Sequence, residues 1–212
     1  NWTVSDLYLM TTDRYSTTMS PDTENLVTTL KNGLANQDLS GMNESGLISA
    51  AAPFIAAAIQ LDSAEMAAAI LQWLGQLKPQ GLTVTAFLTL AAKEKLTGAA
   101  TVQLVSFCQV LGQLTLFARR ASLSATELSW VVTHPTIMTE KATVLAHDIA
   151  MLRDLTLLHG VLARCGVSAT QVITSLSGKA GSETNNLPVK TVATAMNLDE
   201  QALAQCSGYA YF

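Results

Sequence analysis

Charged residues are scarce in this sequence. They make up 13% of its 212 residues, about half of the share that is usual for a soluble domain. The 12 lysines and arginines are outnumbered by 16 carboxylates, which gives a formal net charge of −4. Because nucleic-acid binding needs a concentrated positive surface, no nucleic-acid partner is expected. The low charge also predicts that much of the surface is covered, either by layers of helices or by further protein.

Cysteine is rare as well. The three cysteines, Cys108, Cys165 and Cys206, are widely spaced and form no C-x-x-C pair. An odd and dispersed set argues against a disulfide framework and against a cysteine zinc site. Cys165 stands at a predicted helix end before Gly166, a place that favours packing over nucleophilic chemistry. We interpret all three as buried free thiols.

Motifs of catalysis and cofactor binding are missing from the sequence. It contains no G-x-S-x-G elbow, Walker loop, dinucleotide fingerprint or H-E-x-x-H motif. His134 precedes a proline in a predicted turn, while His147 and His159 lie on the polar and apolar stripes of one predicted helix. Histidines that point in different directions do not share a metal. We therefore expect no enzyme activity, no catalytic or metal-binding residue and no cofactor.

The longest apolar run, residues 50–59, is too short for a membrane span. It is interrupted by Pro53 and closed by Gln60 and Asp62, whereas about 20 apolar residues are needed to cross a bilayer. The alanine-rich segments 46–60 and 63–77 instead predict a tightly packed helical hairpin. Direct membrane insertion by these residues is not expected.

What the sequence contains repeatedly is the start of a helix. In six copies an apolar residue precedes Ser, Thr or Asp, and a second apolar residue follows four positions later. The polar side chain can accept a bond from a free first-turn amide, and the apolar pair clamps the incoming chain. The predicted N-caps are Thr3, Asp62, Thr83, Ser124, Ser168 and Asp199. Their uneven spacing argues against a repeat of fixed period.

These signals predict an all-α fold, an orthogonal or layered bundle of about nine to eleven helices. A further helix is predicted from Ser20-Pro21 to about residue 33, and a long one over 139–165. Two short helices, about 188–196 and 199–206, are predicted to end the chain. No segment alternates β-branched and polar residues between hairpin turns, so no sheet is expected.

The helix predicted at about 100–120 is apolar on most of its circumference. Its polar residues recur every three or four positions and form one narrow stripe, Gln103, Ser106, Gln109 and Gln113. We expect this stripe to face water and the rest of the helix to be the centre of the fold. Arg119 and Arg120 end the helix, where cations favour its dipole.

The opening run WTVSDLYLMTTDRYSTTMSP resembles the large A subunit of bacterial insecticidal toxin complexes, the Tc toxins. The sequence similarity continues in QLDSAEMAAAILQWLGQLKP, FCQVLGQLTLFARRASLSATELSWVVT and LPVKTVATAMNLDEQAL. The resemblance extends over nearly all of the chain. This breadth carries more weight than the capped helices alone, since such helices occur in unrelated helical proteins.

The resemblance implies a piece of a very large protein. Subunits of that family assemble as homopentamers with a central channel, a surrounding α-helical shell and inserted β-rich receptor-binding domains. The shell opens at a pH shift, the channel enters the target membrane, and a separate toxic enzyme passes through it. The implied partners are the rest of the A subunit and its neighbouring protomers, and the implied location is outside the bacterium or on its surface.

Within that family, a helical segment without β-domains or long channel helices is expected to be a shell lobe. We treat residues 1–212 as one lobe, with 1–80 and 81–212 as its potential sub-lobes. The alternative is a module that itself binds a host receptor or glycan at the cell surface. A surface cluster of aromatic residues would favour this alternative, but Trp2, Trp73 and Trp130 occupy positions better explained by packing.

Overall fold

The computed structural model describes most of the chain. The described residues are 3–12, 16–35, 37–39, 41–92, 98–139, 142–164, 193 and 199–201. Within them the structure contains eight α-helices, two short 3-10 helices and no strand. The all-α prediction is confirmed. The chain divides into two compact units, Asn1–Arg153 and Asp154–Phe212.

The first seven helices belong to the first unit. In chain order they are α1 (Val4–Thr11), α2 (Pro21–Leu34), α3 (Glu44–Ala58), α4 (Ala64–Leu77), α5 (Val84–Ala91), α6 (Gly98–Arg120) and α7 (Ala125–Thr133). The eighth, α8 (Ile149–Arg164), begins in the first unit and ends in the second. The 3-10 helices are Pro79–Gly81 and Pro135–Ile137.

Local capping chemistry explains why several helices begin where they do. The Thr83 hydroxyl accepts from the Ala86 amide at 3.2 Å, at the start of α5. At α7 the Glu127 amide donates to the Ser124 hydroxyl at 3.3 Å and the Ser124 amide donates to the Glu127 carboxylate at 2.7 Å. This reciprocal pair is a capping box. Ser20 and Asn43 cap α2 and α3 with their side chains alone, which accept from the amides of Thr23 and Gly46.

Two of the other predicted caps, Thr3 and Asp199, lie within the described residues. Thr3 directly precedes α1, and its carbonyl accepts from the Leu7 amide at 3.2 Å. Asp199 directly precedes the helical residues 200 and 201. Ser168 lies outside the described residues, as do Cys165 and Cys206.

The cap of α4 is Ser63, one residue after the predicted Asp62. Ser63 has an extended backbone (φ −153°, ψ 157°), and its hydroxyl accepts from the Met66 amide at 3.1 Å. The reason lies in the preceding turn, where Gln60 has a left-handed φ of 54° and the Leu61 amide bonds back to Ala56 at 2.9 Å. Asp62 still belongs to this reversal of the chain, so the helix starts only after Ser63.

Helices α3 and α4 form the predicted hairpin, and α4 also packs against α6 and α7. Trp73 of α4 is fully buried and meets Phe117 of α6 edge-on, with ring centroids 6.0 Å apart. Phe87 of α5 stacks on Phe107 of α6 at 4.2 Å. These contacts place the core of the first unit around α6. By length and composition, residues Ala100–Arg120 of α6 would be long and apolar enough to cross a membrane, and 61% of that window is buried in the protein, as in a core helix.

The long helix predicted over 139–165 is shorter in the structure. It begins at Ile149, where the Asp148 carboxylate accepts from the Met151 amide at 2.8 Å, and residues 142–148 are irregular. In this segment Leu145 is buried, and its carbonyl accepts from the Trp73 indole at 2.7 Å. A carbonyl held by the core in this way fixes the chain before the helix begins. His147 therefore lies outside the helix.

Candidate functional site: the groove between α1 and α6

An open groove of about 730 Å³ lies between α1 and α6. Tyr8 and Leu9 of α1 form one side of it, and Gln109, Gly112 and Leu116 of α6 form the other. Tyr8 and Leu9 are 58% and 54% exposed. The groove is thus an accessible surface with a mainly apolar lining.

The floor of the groove is where the sequence-based interpretation of α6 is wrong. Gln113 is 4% exposed, and its side-chain amide donates to the carbonyls of Leu9 (3.0 Å) and Thr12 (2.9 Å). Gln109 accepts from the Ser16 amide at 3.2 Å. Ser106 is fully buried and donates to Val102 within its own helix at 2.8 Å. Of the predicted water-facing stripe, Gln103 is exposed.

A polar stripe on an apolar helix usually indicates a solvent face. Here the polar groups instead satisfy backbone groups from a segment about one hundred residues earlier in the chain. Buried polar groups require such partners. The only signal in the sequence was the presence of glutamine rather than charged residues in the stripe, since an amide can be buried at lower cost than a charge.

Arg119 closes one end of the groove. Its guanidinium Nη2 donates to the carbonyl of Ile59 at 3.0 Å and also to that of Gln60. These carbonyls lie just beyond the end of α3. Arg119 was expected to favour the dipole of its own helix, but the bonds that it makes stabilise the end of a different helix.

A second pocket of about 580 Å³ lies between α3 and α4. Glu44, Gln72, Gln76 and Lys78 are among its lining residues. The Gln76 side-chain nitrogen donates to Val132 at 3.1 Å, while its Oε1 is buried without a hydrogen-bond partner.

The histidines and Cys108 occupy separate places. His134 ends α7, with Nδ1 2.9 Å from the Thr133 hydroxyl and 3.1 Å from the Trp130 carbonyl. His159, which the sequence places on the apolar stripe of its helix, is only partly buried. Burial raises the pKa of the Cys108 thiol to about 12, so that thiol is neutral at physiological pH. Among the described residues, no group of three or more His, Cys, Asp or Glu side chains could hold a metal ion.

The described tryptophans belong to the core. Trp73 is fully buried and Trp130 is 7% exposed. Neither contributes to a surface aromatic cluster of the kind expected in a glycan-binding module. Trp2 lies outside the described residues.

Comparison with known proteins identifies the chain through solved structures. No family model and no curated protein matches it. The cryo-EM structure of Morganella morganii TcdA4 matches 99% of the chain, with 28% sequence identity and a TM-score of 0.76. The cryo-EM structure of Yersinia pseudotuberculosis TcaA-TcaB matches 97% of it, with 21% identity and a TM-score of 0.70. Over almost its whole length the chain is similar to Tc toxin A-type proteins.

The chain corresponds to a small part of each of these similar chains. It spans 8% of the length of the TcdA4 chain and 11% of that of the TcaA-TcaB chain. The resemblance to Tc toxin A subunits seen in the sequence is confirmed, and this similarity supports a Tc toxin component.

Proposed function

We propose that these residues form a structural module of the α-helical shell that surrounds the channel of a Tc toxin A subunit. The observation that carries the proposal is the helical architecture of the first unit, together with its match to one segment of TcdA4. A shell needs helices that hold one another in place. Core contacts such as Trp73 with Phe117, and cross-links such as Arg119 with the end of α3, supply that rigidity.

The rival function, direct binding of a host receptor or glycan, has less support in these residues. Such sites usually present aromatic side chains together with convergent polar groups. Trp73 and Trp130 are committed to the core instead. Tyr8 is exposed, but a single ring beside Val4 and Leu9 is an apolar patch rather than a sugar platform.

The partners that follow from this proposal are other parts of the toxin. They are the remainder of the A subunit and its neighbouring protomers in a homopentamer. The assembly would act outside the producing bacterium. We propose no catalytic activity, cofactor or metal for these residues, and no direct insertion into the membrane. The channel and the toxic enzyme would be separate parts of the assembly.

The proposal can be tested in the complete A subunit that carries this segment. Trp73→Phe keeps an aromatic ring against Phe117 but removes the bond to the Leu145 carbonyl. If the module belongs to the shell, this variant should change the pH or the rate at which the toxin releases dye from liposomes, while binding to target cells stays unchanged.

A matched surface variant is Tyr8→Ala, which removes an exposed ring without opening the core. Under the shell proposal it leaves cell binding intact. Loss of cell binding in Tyr8→Ala, with unaltered dye release in Trp73→Phe, would instead favour the receptor-binding function.

A further inference from the structure

The helix α1 is attached to the first unit differently from the other helices. Of its side chains that the structure describes, Met10 is buried and Leu7 is half-buried, whereas Val4, Tyr8 and Leu9 are between 54% and 85% exposed. By contrast, α4 buries six side chains, Trp73 among them. Hydrophobic burial, which holds the other helices in place, is therefore small for α1.

The surface of α6 beside α1 carries the polar side chains of Gln109 and Gln113 among apolar ones such as Leu116. Gln109 and Gln113 contact the segment through side-chain hydrogen bonds, and Gly112 between them offers no side chain. If α1 moved away, these amides could turn to water, so exposing them would cost little hydrophobic free energy. Removal of α4 or α7, unlike removal of α1, would expose the apolar core to water.

Packing between the two helices is also incomplete. The open groove of about 730 Å³ runs along the contact between α1 and α6, so their facing surfaces are packed less fully than a protein interior. A helix of eight residues is moreover too short to be stable by itself in water. Detachment of α1 should therefore be accompanied by its unfolding.

We propose that α1 is a strap, held on α6 chiefly by Met10 and the Gln113 amide, that detaches as one unit while helices α2 to α7 remain packed. The two bonds from Gln113 fix the end of α1, since they join the carbonyls of Leu9 and Thr12. Detachment exposes the Gln109 to Gln113 face of α6. The inference rests on the contacts of α1 alone and holds whether or not the module belongs to the shell.

Hydrogen-exchange mass spectrometry of the 212-residue protein measures this motion directly. Amides of α1 should exchange at least about 100-fold faster than those of α6, because the strap opens without global unfolding. Equal protection of α1 and α6 would overturn the proposal.

Variants test whether Gln113 holds the strap. Gln113→Leu removes both bonds and should speed the exchange of α1 about tenfold further, without changing that of α4 or α7. Gln103→Leu is the matched control, since Gln103 is an exposed glutamine of the same helix, and it should leave exchange in α1 unchanged. Met10→Ala, which removes the apolar anchor, provides a second variant that does not alter α6. If exchange in α1, α4 and α7 accelerated together in Gln113→Leu and in Met10→Ala, α1 would be part of one cooperative unit and the proposal would be wrong.

Discussion

At the scale of single residues, two glycines in helices have opposite roles. A Cβ added to Gly33 in α2 would lie 2.2 Å from the ring of Phe54 in α3, whereas one added to Gly112 in α6 would meet nothing within 4 Å. Gly33→Ala should therefore force the Phe54 ring to move and destabilise the protein by about 1 to 3 kcal/mol. Gly112→Ala should stabilise it by up to about 1 kcal/mol, because alanine favours the helix.

Urea unfolding of the two glycine variants provides the comparison. They carry the same substitution in helices of one unit, so helix propensity contributes similarly to both. Equal unfolding midpoints for Gly33→Ala and Gly112→Ala would show that α2 and α3 do not approach as closely as described.

The thiol of Cys108 gives a prediction about pH. Burial raises its pKa from the ordinary 9.0 to about 12, so the folded state keeps a proton that the unfolded state loses. Above about pH 9 the unfolded state binds fewer protons, and stability should fall as the pH rises from about 9 towards 12. The contribution should be absent from Cys108→Ala.

Alkylation measures the state of this thiol independently. At pH 8 Cys108 should remain unmodified by N-ethylmaleimide in the folded protein and react after addition of urea, as peptide mass spectrometry can show. Rapid modification without urea would place Cys108 at an accessible surface.

At the scale of helices, the sequence predicts starting points better than partners. Caps such as Ser124 with Glu127 act over three residues, so their pattern is visible locally. The contact of Gln113 with Leu9 joins residues 104 positions apart, and no local pattern contains it. The late start of α8 has the same cause, because the bond from Trp73 to Leu145 spans 72 positions. The cap at Ser63 was missed by one residue because Asp62 and Ser63 are both capping residues and only the turn decides between them.

Helix α6 gives the prediction at this scale. Leu111 is fully buried and Gln103 is exposed on the same helix. Leu111→Ala should leave a cavity and cost about 2 to 5 kcal/mol, whereas Gln103→Ala should change stability by no more than about 0.5 kcal/mol. The two urea midpoints measure the difference. Indistinguishable midpoints would mean that α6 is not the centre of the first unit.

At the scale of the whole molecule, the fold and the family were accessible from the sequence, but the candidate groove was not. Repeated helix starts and a low charge are properties of the whole chain. The helix starts favour a multi-helix protein, and the low charge favours a surface covered by layers of helices or by further protein. The groove depends on how far Tyr8 and Leu9 stand from α6, a distance that tertiary packing sets. The same limit applies to the role in the toxin, since a shell lobe is defined by what surrounds it.

The central claim, that these residues are part of the helical shell, is tested most directly by a cryo-EM structure of the complete A subunit that contains them. The account predicts that α1 to α7 are found in the helical wall around the channel. Trp73 of α4 should be packed there against α6 and the segment around Leu145. The result would contradict the account if these helices were found in a peripheral domain that projects away from the channel, with their exposed side chains facing solvent where a receptor would bind.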